Sequence, residues 1–151
     1  MSFSTSDLNA IKNAVNADPT ALSDWNAGNR GNLCAYLNAA PTSGAQQVTR
    51  KDVSNAELFS CLVPGEVATL ATWQQTILQL TSAAAPIDFT NASIAAGLVS
   101  IFPASTQTYK NLMAVAQRAA TRLEAIFLVS GVSSHYGDTI DVPTLIAAMG
   151  A

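Results

Sequence analysis

His135 is the single histidine of the chain, and it stands near Ser133, Ser134 and Asp138. A serine, a histidine and an acid are the parts of a nucleophilic hydrolase, in which the imidazole takes the hydroxyl proton and the carboxylate orients the ring. The local setting argues against that chemistry. No Gly-x-Ser-x-Gly occurs, so no serine sits on the sharp turn that exposes a nucleophile. His135 reads instead as a loop histidine. Cys34 and Cys61 with one histidine cannot fill a tetrahedral zinc site at the usual spacing. The acidic residues do not cluster as in a calcium-binding loop. The Gly-x-x-Gly at residues 28–31 lacks the basic surroundings of an RNA clamp. Neither a phosphate-binding loop nor a dinucleotide fingerprint is present. The expectation is a protein that is not an enzyme, with no catalytic residues, no metal and no cofactor.

A different group of residues stands out. The stretch AVAQRAATRLEAIFLVSG, residues 114–131, holds Arg118, Arg122 and Glu124 in a chain whose charged fraction is only 11%. On a single helix Arg118 and Arg122 share a face and repel by about 0.2–0.5 kcal/mol, while Arg122 and Glu124, two apart, cannot meet. Their partners must be water, another segment or another molecule. Three readings stay open for Arg122: a clamp to Asp52 or Asp141, a solvated arginine, or a pair with a carboxylate on a neighbouring subunit. Trp25 beside Arg30 is a second candidate for an interface, since Trp and Arg dominate binding hot spots. Core packing is the alternative for Trp25, and burial in a helical stripe is the expectation for Trp73.

The elements that must position these residues read almost entirely as helix. Ser4 and Asp7 have capping-box spacing, and so do Ser54 and Glu57. Asp18-Pro19 is a helix start, with the acid as cap and the proline at the first helical position. Further helices are expected at residues 32–40, from Pro64 to about residue 83 with a stripe of Val67, Leu70, Trp73, Ile77 and Leu80, at 91–102, and from Pro143. A break falls at residues 84–88. The longest helix is expected from about Thr106 to Ser130, with Leu112, Ala116, Ala119, Leu123 and Ile126 on its core face and Gly131 ending it. Two segments, VTRKDVSNAEL and DTIDVPTLIAA, share a pattern of β-prone residues, Asp-Val and a short helix. Val48-Thr49 and Thr139-Ile140 are therefore expected to pair as a two-stranded ribbon, because either strand alone would expose unpaired backbone. The fold class is all-α: one domain over residues 1–151, about seven helices and a minor two-stranded β ribbon.

Composition narrows the partners. Hydrophobic residues make up 49% and the net charge is -3, with only seven Lys and Arg. Typical soluble domains carry roughly 25% charged residues. A coat of Ala, Ser, Thr, Asn and Gln loses little on desolvation, which suits burial against other protein; composition fits a monomer with a polar, uncharged coat equally well. Nucleic-acid binding needs a basic patch to displace counterions, so none is expected. The apolar runs IAAGLVSIF and AIFLVSGV fall short of the ~20 residues of a spanning helix, so no membrane insertion is expected. The segment MSFSTSDLNA lacks the basic and apolar regions of a signal peptide, which points to synthesis in a cytoplasm without export by that route. Cys34 and Cys61 are expected as reduced core residues.

The sequence also resembles a family of small helical proteins encoded by tailed bacteriophages, often among virion genes. The likeness rests on AIKNAVNADPTAL, on YLNAAP, on VTRKDV, and above all on RAATRLEAIF, which matches an Arg-x-Ala-[Ser/Thr]-Arg-x-Glu-x-x-Phe pattern through Arg118, Arg122, Glu124 and Phe127. The segment GDTIDVPTLIAA closes the match. A Gly-Tyr that commonly follows the first Asp-Pro is replaced by Ser-Asp-Trp-Asn. The resemblance implies a virion setting in the neck, tail or baseplate, with other phage structural proteins and copies of this chain, as a homo-oligomer or ring, for partners. A phage protein outside the virion, such as an assembly chaperone or an inhibitor of a host protein, is the alternative. The resemblance implies no catalytic residues.

Overall fold

The computed structural model describes residues 2–84 and 86–150; Ala85, within the break expected at residues 84–88, lies outside them. In chain order the elements are α1 (Thr5–Ala17), α2 (Pro19–Asn26), α3 (Arg30–Asn38), β1 (Gln47–Thr49), α4 (Asn55–Cys61), α5 (Pro64–Val67), α6 (Thr72–Ala83), α7 (Ala92–Ile101), α8 (Gln107–Val115), β2 (Gln117–Ala119), α9 (Arg122–Ile126), β3 (Leu128–Val129), β4 (Val132–Ser133) and α10 (Val142–Gly150). Helix dominates and the β content is minor. Among the described residues there are ten helices and two short ribbons, β1–β2 and β3–β4, where about seven helices and one ribbon were expected.

The helix starts follow the sequence closely. Ser4 accepts the Asp7 N–H at 3.2 Å while Asp7 accepts the Ser4 N–H at 2.8 Å, and Ser54 and Glu57 repeat the arrangement at 3.2 and 2.9 Å. Asp18 receives the N–H groups of Thr20 and Ala21. Each such cap is worth about 0.5–2 kcal/mol.

The expected helix from Thr106 to Ser130 is broken. It becomes α8, an extended stretch containing β2, the five-residue α9 and the first strand of a hairpin. The cause is a third capping box, at Thr121: its hydroxyl accepts the Glu124 N–H at 3.1 Å, and the Glu124 carboxylate accepts the Thr121 N–H at 2.9 Å. Ahead of it the Ala120 N–H goes to the Gln46 carbonyl at 2.8 Å. Arg118 and Arg122 therefore lie on different elements and share no helix face. Gly131 does not end a helix. With Ser130 it forms the two-residue turn of the β3–β4 hairpin, both residues at positive φ (54° and 79°), between Val129 and its partner Val132.

A second expected helix also splits, into α5 and α6. The Thr69 hydroxyl bonds the Glu66 carbonyl at 2.8 Å and competes for the backbone there, and the Gln74 side chain accepts the Ala71 N–H to restart the helix.

The expected ribbon partner is also different. β1 pairs with β2, not with Thr139-Ile140. Ile140 is buried, and its backbone is served by a side chain: Asn38 Nδ2 donates to the Ile140 carbonyl at 2.9 Å and Asn38 Oδ1 accepts the Ile140 N–H at 2.8 Å. One primary amide does the work of a neighbouring strand.

Two compact units divide the chain, the division falling within β1 and at the end of β2. No composition shift marks either point. The first unit comprises the residues up to Val48 and those from Ala119 onward. Here α1 packs on α2, α9 and α10, and α3 on α2, α9 and α10, around Ile11, Val15, Leu33, Leu123 and Leu145. Each of these fully buried side chains contributes about 1.5–3 kcal/mol of apolar transfer.

The second unit, Thr49–Arg118, gathers α4 to α8 around Leu58, Ile87, Leu98, Phe102 and Leu112. The Glu66 carboxylate accepts the N–H groups of Gln107 and Thr108, both at 2.8 Å, and so satisfies the start of α8 from outside that helix. The Thr108 hydroxyl and these N–H groups hold Glu66 below the ordinary glutamate range. Cys34 and Cys61 are buried free thiols, one in each core. Trp73 departs from its expected burial: it is 56% exposed, and Leu80 of the same helix is 67% exposed.

Removing the Asn38 amide tests the Ile140 arrangement. Asn38→Ala strands two backbone groups of a buried residue and is expected to cost about 2–4 kcal/mol in urea unfolding. The exposed Asn9→Ala in α1 serves as control, with stability unchanged or slightly raised by the better helix former. Equal stabilities would show that Ile140 finds other partners.

Candidate functional site

The five residues singled out by sequence fall in two groups, both in the first unit except for Arg118. Arg118 lies in β2 and belongs to the second unit by residue range; like Glu124, it has interaction partners.

Arg122, the first residue of α9, is partly buried. Its guanidinium does not bond Asp141, the candidate partner that lies in the same unit. Nη1 donates instead to the carbonyls of Tyr36, Ala39 and Ala40 at 3.2, 3.3 and 3.4 Å, where α3 ends and leaves acceptors without helical partners. The guanidinium carbon stands 3.9 Å from the centre of the Tyr36 ring, in cation–π geometry. The Arg122 backbone N–H donates to Ala39 as well, at 3.0 Å. Asp52 bonds Arg50 Nε at 2.9 Å, and Asp141 accepts the Thr144 N–H at 2.9 Å. Sequence reasoning sought a carboxylate for this arginine and missed the carbonyls, which carry no residue-type signal.

Asp18 completes the cluster. Its Oδ2 accepts the Tyr36 hydroxyl at 2.8 Å. Burial pushes its carboxyl up, but the Tyr36 hydroxyl and the Ala21 and Thr20 N–H groups outweigh that, with Arg122 adding, and hold it below the ordinary aspartate range. Arg122 and Asp18 border an otherwise apolar cleft of about 280 Å³, with Leu37, Ala125 and Ile126 among its walls.

Glu124 is fully buried. Its carboxylate accepts the Thr121 N–H on one side and the Gly137 N–H, at 2.9 Å, on the other. It ties α9 to the loop before α10, a structural duty that its place on a supposed long helix concealed. Trp25 and Arg30 do meet: the Arg30 guanidinium carbon lies 4.6 Å from the Trp25 ring centre, and Nη1 reaches the Gly28 carbonyl at 3.4 Å.

His135 has more partners than a bare loop histidine. Nδ1 lies 2.8 Å from Asp138 Oδ2, and Nε2 lies 3.5 Å from Asp7 Oδ1. Phe3 stacks on the ring at 4.9 Å and Phe127 tilts against it at 4.1 Å. The place a nucleophilic hydroxyl would take beside Nε2 is held by the Asp7 carboxylate. Ser133 is buried, with its hydroxyl accepting the His135 N–H and lying 3.5 Å from the Glu124 carbonyl. The Ser4 hydroxyl, then its N–H, hold Asp7 below its ordinary range, and His135 adds to this.

In the second unit Arg50 grips Glu57 with two nitrogens, at 2.7 and 3.2 Å. Arg50, then the Ser54 cap, bring the Glu57 carboxyl from 4.5 down to about 2. Among the described residues no cluster of three or more His, Cys, Asp or Glu is arranged to hold a metal ion, and no helix is long and apolar enough to cross a membrane. Comparison of the chain with models of known families, with curated proteins and with solved structures found no match.

Two expectations follow from this geometry. Arg122→Ala removes three charge-assisted bonds and the Tyr36 stack and is expected to cost about 1–3 kcal/mol in thermal or urea unfolding. Arg122→Lys, which keeps the charge without the planar fork, should recover only part of this. A full recovery by lysine would reduce the role to charge alone. For Glu57, the depressed carboxyl adds stability that is complete above its ordinary value of 4.5 and is lost as pH falls through about 2. The Glu57→Gln protein should therefore show a flatter stability profile between those two values. Parallel profiles in the two proteins would remove the Arg50 pair as the source.

Proposed function

We propose that this protein is a structural or assembly component of a tailed-bacteriophage particle, in the neck, tail or baseplate. It acts through contacts with other phage structural proteins and with copies of itself in a ring. The observation that supports this most is the apolar surface of the second unit. Phe59, 58% exposed, opens a concavity of about 470 Å³ whose other walls are Leu62, Pro64, Val67 and Ala68, all apolar. The half-exposed Trp73 and Leu80 add to the unit's uncovered apolar surface. These large apolar side chains are left uncovered within the unit, which suits contact with other protein. The weakly charged coat lowers the desolvation cost of covering them, and the resemblance of RAATRLEAIF and its flanking motifs to phage virion proteins supports the setting.

Mass spectrometry of purified particles is the direct test. The protein is expected in them at a fixed copy number. Its absence from particles, with normal expression in infected cells, would favour the assembly chaperone or host-protein inhibitor instead. Phe59→Ser should change the stability of the isolated protein by no more than about 0.5 kcal/mol, as for an exposed site. The same substitution is expected to reduce incorporation into particles several-fold. Normal incorporation would remove this concavity from the assembly surface.

A further inference from the structure

We infer that the cleft beside Arg122 is a binding site for a carboxylate carried next to a short branched apolar group. The cleft lies within the first unit and encloses about 280 Å³. Its walls include Ala14, Leu37, Ala125 and Ile126, and its two charged residues are Asp18 and Arg122. Those two charges are not in the same condition. Asp18 is committed: Oδ1 takes the Thr20 and Ala21 N–H groups and Oδ2 takes the Tyr36 hydroxyl. Arg122 commits only Nη1, to three backbone carbonyls. Among the described residues its Nε and Nη2 groups have no hydrogen-bond partner, and no carboxylate lies within ion-pair distance of it.

The cleft thus holds one carboxylate whose oxygens are already bonded and one guanidinium with N–H groups still free. The guanidinium is already fixed by the carbonyls and by the Tyr36 ring at 3.9 Å, so little ordering remains when an anion arrives. A planar fork with free N–H groups is the arrangement that takes a carboxylate through two parallel bonds. The volume falls just under the range of roughly 300–1,000 Å³ that holds drug-sized ligands. It suits one aliphatic side chain, and the alanine and leucine walls match a branched one. The same chemistry has two sources. One is a polypeptide that presents Leu, Ile or Val beside an acidic side chain or its own terminal carboxylate. The other is a free branched-chain acid. The site does not depend on the particle reading: binding is tested on the isolated protein, and particle content does not decide it.

The test is a titration of the isotope-labelled protein with N-acetyl-leucine, followed by NMR. Chemical-shift changes are expected at Leu37, Ala125 and Ile126 and at the Arg122 side-chain Nε–H, saturating in the millimolar range. N-acetyl-leucinamide, of the same shape without the charge, should bind at least about tenfold more weakly. Ala125→Met, which fills the cleft and leaves Arg122 in place, should abolish the shifts while the protein keeps its melting temperature. Isovalerate and the capped dipeptide acetyl-Leu-Asp-amide separate the sources. Tighter binding of the dipeptide assigns the site to a polypeptide, and tighter binding of isovalerate assigns it to a free acid. Absence of shifts at the cleft with N-acetyl-leucine, or equal binding of the acid and its amide, overturns the inference.

Discussion

The reciprocal cap between Thr121 and Glu124 sets the course of the last third of the chain. Residues 106–130 are rich in helix formers, and continuous helix would be the local preference. The cap ends that option. Once Thr121 turns its hydroxyl onto the Glu124 N–H, the preceding residues are free to run extended beside β1, and Arg122 becomes the first residue of a new helix. Its side chain then reaches the end of α3, and Glu124 turns inward to hold both Thr121 and Gly137. A buried carboxylate is tolerable only with such partners, since a bare one would be driven to take up a proton or to leave the core.

Few charges are present, and several are spent on backbone rather than on one another. Arg122 covers carbonyls at the end of α3, Glu66 covers N–H groups at the start of α8, and Asn38 and Asn111 serve Ile140 and the Cys61 carbonyl. Helix ends leave backbone groups that need partners wherever water is excluded. A chain of short helices has many such ends, so a small set of polar side chains is placed where each satisfies several at once. Arg50 by contrast pairs with the carboxylates of Asp52 and Glu57, and even there Glu57 also caps α4.

The parts of this fold that were legible in sequence are those decided within a few residues. Ser4, Asp18 and Ser54 announce their helices because a cap needs only its own next turn. The cysteines read as core because their neighbours are apolar. The Thr121-x-x-Glu124 cap has the same signature, but it is embedded in a run of Ala, Leu and Ile whose period fits one long helix. The ribbon was misassigned because two similar segments need not be partners: a side-chain amide satisfied one of them, and the other paired with residues read as helix. Trp73 and Leu80 sit at core spacing on α6, and no local pattern tells whether a stripe that wide is covered within the same chain. For the candidate site, Arg122 and Glu124 were visible as rare charges, while the carbonyls that Arg122 bonds and the N–H groups that Glu124 accepts are backbone atoms, which every residue carries.

The second unit is contained, in sequence, within the first: residues 49–118 interrupt a unit whose α1 packs on α10. On the ribosome, α1 to α3 emerge early, with Ile11, Val15 and Leu33 lacking Leu123 and Leu145 to cover them. The interrupting residues form a continuous stretch, and the residues of their own core have all been made once that stretch has emerged. Translation therefore imposes an order in which the middle of the chain can condense first, while the earliest helices wait, apolar faces uncovered, for the last ones to be made.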